Sequence, residues 1–289
     1  MGLGETIREL RIAKKMTQTE VCGDRMTRNM LSIIEHGNAN PSLSTLLYLA
    51  ERLDVPPGYL IAGEKEKKLY RKAEAMAGIE QSMKNRDYAI CRSICEGLGE
   101  DSDPEISRRI LECDFMLARD SFFAGSLRHA SEGFAKVAAG DSEGRFLPVC
   151  AAYSSCISDI SPSLDNDIPP AGDSPEGLSD LFTLYYFFYR VTAGKKLPGI
   201  EFADRYVVSD AAPEYLRRHI HGRILMLREQ YRDAAEKIKE GTEMSADLPL
   251  PAMFFMFGDL ETCFRETGDF KNAYEYSGLR RELFERFLR

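Results

Sequence analysis

"TQTEVCGDRMTRNMLSIIEHG", residues 17–37, decides how the rest of the chain is read. Thr17 can accept a hydrogen bond from a backbone N–H three residues on, and Glu20 can return one, so TQTE is a capping box that starts a helix. Val21 and Cys22 are its inward side chains, and GDRM (23–26) supplies a tight turn. Thr27 caps the next helix, whose inner face carries Leu31 and Ile34. His36-Gly37-Asn38 ends that helix, with Gly37 as the C-cap. Two short helices joined by a tight turn are therefore expected.

Upstream, Ile7 and Leu10 begin an apolar stripe in a helix that ends near Lys15. Downstream, Pro41-Ser42 opens a fourth helix in which Leu43, Leu46, Leu47, Ala50 and Leu53 have the spacing of a buried stripe. PPGYLI (56–61) makes a last short turn. Residues 1–64 read as a five-helix domain. The basic run within EKEKKLYRK (64–72) is a linker or the start of a first repeat helix, over 65–72, and 73–289 form a second domain.

The chain carries 46 acidic and 38 basic residues, a formal net charge of -8. Residues 1–72 hold 12 basic and 9 acidic side chains, so a mildly basic head precedes an acidic body. The N-terminus lacks the apolar region of a signal peptide. No apolar run reaches the roughly 18 residues of a membrane span. Leu181 to Tyr189 is too short and reads as a buried helix. No membrane association is expected, and the location is cytoplasmic. The seven cysteines include no CxxC pair and read as buried reduced thiols. No nucleophile–base pairing, phosphate loop or metal cluster stands out, so neither an enzyme, a metal nor a cofactor is expected. His219 and His221 diverge on a helix.

Beyond residue 65 a pattern recurs. Tyr88/Cys91, Leu127/Ala130, Tyr231/Ala234 and Phe270/Ala273 each place a large residue three positions before a small one, and both Tyr88 to Leu127 and Tyr231 to Phe270 are 39 residues apart. Stacked helical hairpins need this: the large group fills the gap between hairpins and the small one lets helices approach. The segment SDISPSLDNDIPPAGDSPEG (158–177), with four prolines and no basic residue, is a loop.

Thr17 to Glu35 resembles the helix-turn-helix of the phage Cro/repressor-type family. Gln18 starts helix two, Glu20-Val21 follow, Thr27 caps helix three, and Ser32 to Gly37 match its SxIExG pattern. The resemblance spans about residues 4–61. A turn one residue shorter than in the phage repressors is similar to peptide-sensing regulators of Rgg and PlcR type, which join such a head to tetratricopeptide-like repeats. GDFKNA and YRDAAE resemble those repeats. The resemblance implies an all-α chain, with a helix-turn-helix head followed by an α-solenoid of tetratricopeptide-like hairpins. It implies a sequence-specific DNA-binding transcription regulator whose body senses a peptide or other ligand and mediates homodimerisation. It also implies that Arg11 pairs with Glu35. A DNA-tethered protein-interaction adaptor and an antitoxin-like repressor remain alternatives.

With Leu31 and Ile34 inward, Arg28, Asn29, Ser32 and Ile33 face outward. Arg28 can grip guanine, Asn29 adenine, and Ile33 a thymine methyl. Thr17, Gln18, Thr27 and Asn38 suit phosphate oxygens. In the body, Arg190, His219, Arg223 and Arg265 are placed toward the groove, where they would hold a carboxylate or acidic side chains. The body's asparagines, Asn85, Asn166 and Asn272, all look like loop or turn positions.

Overall fold

The computed structural model describes residues 2–99, 103–164, 166, 168–170, 175, 177–178, 180–193, 203, 207, 212–244 and 248–288. Among the described residues there are fifteen α-helices and no strand. Two compact units divide the chain, Met1–Asp101 and Ser102–Arg289.

The first unit holds α1 (Leu3–Ala13), α2 (Gln18–Cys22), α3 (Arg28–Glu35), α4 (Leu43–Arg52), α5 (Pro57–Ile61), α6 (Glu64–Asn85) and α7 (Tyr88–Gly97). Ile7, Val21, Leu31, Ile34, Leu49, Leu53 and Leu60 close one core to which α1–α5 all contribute. Each aliphatic side chain so buried contributes about 1.5–3 kcal/mol. The caps form as expected. Glu20 N–H donates to Thr17 Oγ1 and Thr17 N–H donates to Glu20 Oε2, while Met30 N–H donates to Thr27 Oγ1. Gly23 makes the turn after α2 with a φ of 51°, open to glycine at little cost. A Cβ on Gly4 would lie 2.0 Å from the Ile34 carbonyl oxygen, so glycine lets α1 lie directly on α3.

The stripe expected on α4 is corrected. Leu43 and Leu47 are exposed, while Leu49 is fully buried beside Ala50 and Leu53. Five leucines in eleven residues satisfy the helical period on two overlapping faces, and the face carrying Leu49 meets the core. The basic stretch 65–72 is helical and forms the first turns of α6. Lys67 is buried there, its Nζ donating to Thr6 Oγ1 of α1 at 2.6 Å and lying 3.5 Å from Glu64.

The second unit holds α8 (Pro104–Phe123), α9 (Leu127–Gly140), α10 (Leu147–Ile160), a short 3-10 turn (Pro162–Leu164), α11 (Leu181–Ala193), α12 (Glu214–Leu227), α13 (Tyr231–Glu243), α14 (Leu250–Glu266) and α15 (Phe270–Phe287). Tyr88, Leu127, Tyr231 and Phe270 are each the first residue of the second helix in a hairpin: α6/α7, α8/α9, α12/α13 and α14/α15. Cys91, Ala130, Ala234 and Ala273 are buried one turn later. Phe270 departs from its gap-filling role and is 70% exposed. Of the expected loop 158–177, the first residues complete α10, and 165, 167, 171–174 and 176 lie outside the described residues. Asn166 links Ser131 and Ser154 by hydrogen bonds of 2.9 and 2.6 Å.

Helix α11 breaks the repeat. Its run of aromatic side chains touches α8, α10, α12 and α14. Phe182 packs on Phe122 and Tyr153, Tyr186 donates to Asp159 at 2.5 Å, Tyr185 meets His219, and Tyr189 lies on Phe255. Phe182, Tyr185 and Tyr186 are buried on all sides. All seven cysteine side chains are also buried. Among the described residues no helix is long and apolar enough to cross a membrane.

Candidate DNA-reading face and ligand cleft

On α3, Leu31, Ile34 and Glu35 turn inward. Arg28, Asn29 and Ile33 are exposed and Ser32 is half-buried, so the four side chains singled out from the sequence fall on or beside one outward face. Thr17, Thr27 and Asn38 are exposed around it. The Thr17 hydroxyl is already engaged, donating to Glu20 Oε2 at 2.8 Å.

Beneath this face runs a chain of hydrogen bonds. Arg11 grips Glu35 with two bonds, Nε to Oε1 at 2.6 Å and Nη2 to Oε2 at 3.0 Å. Arg11 Nη1 also donates to the Met16 carbonyl. Gln18 Nε2 donates to Glu35 Oε2 at 2.9 Å, and Arg28 Nε donates to Gln18 Oε1 at 3.3 Å. Burial pushes the Glu35 carboxyl up, but the bonds from Arg11 and Gln18 outweigh it and hold the group below its ordinary range. The sequence suggested Gln18 only as a phosphate ligand. In the structure its amide joins the buried ion pair to the exposed Arg28. Arg28 spends Nε on Gln18, and neither of its Nη groups has a hydrogen-bond partner among the described residues.

In the second unit, His219 and Arg223 converge on one carboxylate. His219 Nε2 lies 2.8 Å from Asp259 Oδ2, and Arg223 Nη1 reaches both Asp259 oxygens at 2.6–2.7 Å. Arg223 Nε donates to Thr192 Oγ1, and its guanidinium lies 4.1 Å from the centre of the Tyr189 ring. His219 Nδ1 is 2.8 Å from the Tyr185 hydroxyl. One tautomer satisfies every group: Nε2–H donates to Asp259 and Nδ1 accepts from Tyr185. Burial lowers the His219 pKa more than Asp259 raises it, which keeps the ring neutral. Burial pushes Asp259 up, but Arg223 and His219 prevail and its pKa is lowered.

The expected groove wall is therefore different in detail. His219 has no exposed surface and Arg223 is 9% exposed, because α11 packs over them. The signal was present in the aromatic run 185–189, but its partners are 27 to 69 residues away in sequence and carry no local spacing. Arg265 is exposed and bonded to Glu261 on its own helix, and Arg190 is exposed on α11. At the C-terminal end of α11 a cleft of about 210 Å³ opens, lined by Thr192, Ala193, Arg223, Met226, Leu227, Glu229, Tyr231 and Thr262.

Two solved structures are similar over most of their length at 14% identity. One is Bacillus thuringiensis PlcR, crystallised in complex with the peptide PapR7 and DNA, which covers 98% of this chain and 95% of its own with a TM-score of 0.25. The other is the Streptococcus dysgalactiae SHP pheromone receptor Rgg2, with 97% and 99% covered and a TM-score of 0.21. Scores this low leave the overall arrangement unmatched. No curated protein matches the chain. The family model described as a helix-turn-helix domain matches residues 4–66, and α1–α5 with the first residues of α6 form such a domain.

Proposed function

We propose that the protein is a sequence-specific DNA-binding transcription regulator whose helical-repeat body responds to a ligand and carries the contacts of a homodimer. The observation that supports it most is the outward face of α3, with Arg28, Asn29 and Ile33 exposed opposite a buried Leu31, Ile34 and Glu35. A helix so placed enters the major groove with its first turn against base edges. Gln18, Thr27 and Asn38 would meet the flanking phosphates, and Thr17 would join them only by releasing its donors from Glu20. Two copies would place two such helices on successive half-sites, about 34 Å apart.

The net charge of -8 does not oppose this, since nonspecific attraction follows local phosphate contacts. Selection from random duplex DNA tests the reading: an enriched site with two half-sites is expected. A pool that stays random after selection rejects sequence-specific binding, and sedimentation showing a monomer both free and on DNA rejects the dimer.

A further inference from the structure

We propose that the cleft at the C-terminal end of α11 binds a residue-sized carboxylate through Arg223, an inference that rests on the reading of the body as ligand-responsive. Helix α11 packs against α8, α12 and α14, the first helices of the second unit's hairpins, with Phe182, Tyr185 and Tyr186 buried. An extended peptide laid along those helices would meet α11. Among the described residues the cleft beside its last turn is open, and about 210 Å³ accommodates one amino-acid-sized molecule.

The site is built around a fixed donor. Arg223 is nine-tenths buried, with Nε on Thr192, Nη1 on Asp259 and the guanidinium plane against Tyr189. These contacts lock its orientation. Nη2 has no hydrogen-bond partner among the described residues, and Arg223 lines the cleft. A carboxylate oxygen there completes the set with a charge-assisted bond. Asp259 balances Arg223 when the cleft is empty, so the site is stable without ligand, and a carboxylate would be held by the N–H donors of Nη2 and not by surplus positive charge. Glu229 on the same lining disfavours a second anion and offers a partner to an ammonium group. Ala193, Met226, Leu227 and Tyr231 give apolar walls. The matching chemistry is a monocarboxylate with an apolar body, supplied as a free α-amino acid or as the last residue of a short peptide.

The test is calorimetric titration and thermal melting of the full chain. The probes are free leucine, methionine and phenylalanine, their carboxamides, and tripeptides ending in the same residues with a free or amidated C-terminus. Free carboxylates should bind and raise Tm, and each amide should bind about tenfold or more weakly. Free amino acid binding without tripeptide binding assigns the former source, and the reverse assigns the latter. Ala193→Trp, at an exposed position, should fill the mouth and abolish binding. Arg223→Lys keeps a cation beside Asp259 and should lose most of the affinity. If that variant does not fold, Ala193→Trp still decides.

Amides that bind as well as acids, binding untouched by Ala193→Trp, or no binding by any probe overturns the site. So does a tripeptide whose binding strips hydrogen-exchange protection from 181–193, since it would occupy the place of α11 instead. The DNA selection is run on the same preparation. Carboxylate binding by a protein that selects no DNA sequence rejects the regulator and leaves the cleft standing; the opposite result rejects the cleft alone.

Discussion

Arg28 Nε donates to Gln18 Oε1 at 3.3 Å while Gln18 Nε2 donates to Glu35, so a side chain proposed to read a base is steadied from the core through a glutamine. Arg28→Ala should cost about 1–3 kcal/mol on the preferred site and relax preference at one base pair. Asn29→Ala should do so at a neighbouring pair. Gln18→Ala should relax the Arg28 position as well as weaken binding, because Arg28 loses its rest. Competition among all single-base site variants at fixed salt measures this. A uniform factor across every variant would make Gln18 a phosphate contact only.

Arg11→Ala should destabilise the helix-turn-helix domain by about 3 kcal/mol. It leaves the Glu35 side chain, 1% exposed, as an unpaired buried charge. Replacing both partners with apolar residues should cost much less. Urea melts of single and double variants, followed by circular dichroism, give the comparison. Equal losses in both would show that the pair itself, and not the orphaned charge, sets the stability.

Gly4→Ala should cost about 2–3 kcal/mol, since its Cβ meets the Ile34 carbonyl at 2.0 Å and α1 must move off α3. DNA affinity should fall with it, as α3 carries the proposed reading face. A variant that melts like the parent would show that the two helices separate freely.

Acid should destabilise the second unit in two stages. The folded pKa of His219 is lowered, so the unfolded chain takes up a proton that the folded chain refuses. Its contribution to stability is complete above roughly pH 6.5 and declines as pH falls below that value. Asp259 is also lowered, and its contribution is lost at more acid pH, as pH falls below about 3.9 and through its folded pKa. His219→Gln can donate to Asp259 and accept from Tyr185 without titrating, and should remove the first stage alone. Denaturation midpoints of parent and variant measured between about pH 7.5 and 5 decide it. Parallel pH profiles would show that another group is responsible.

Legibility in the sequence follows interaction range. Thr17, Glu20, Thr27 and Gly37 act within four residues, and all four shape the backbone as their spacing implies. The 39-residue recurrence placed the starts of four helices for the same reason: each hairpin repeats one local solution. The choice between Leu47 and Leu49 as the buried face of α4 depends on Ile7, Val21 and Leu60, outside that helix. The Gln18–Glu35 bond joins adjoining helices, and the burial of Arg223 follows from Tyr189 and Asp259 on other helices. Such contacts leave no periodic trace.

Lys67 gives the first unit a mechanical linkage. Helix α6 is unbroken for 22 residues, about 33 Å at 1.5 Å per residue, and is gripped near its start by the bond from Lys67 to Thr6. Thr6 lies in α1, two residues from the glycine that seats α1 on α3. One lysine and one threonine thus tie the start of α6 to the helix that rests on α3, the carrier of Arg28 and Asn29. Thr6→Val would remove that tie and leave Lys67 with Glu64 alone.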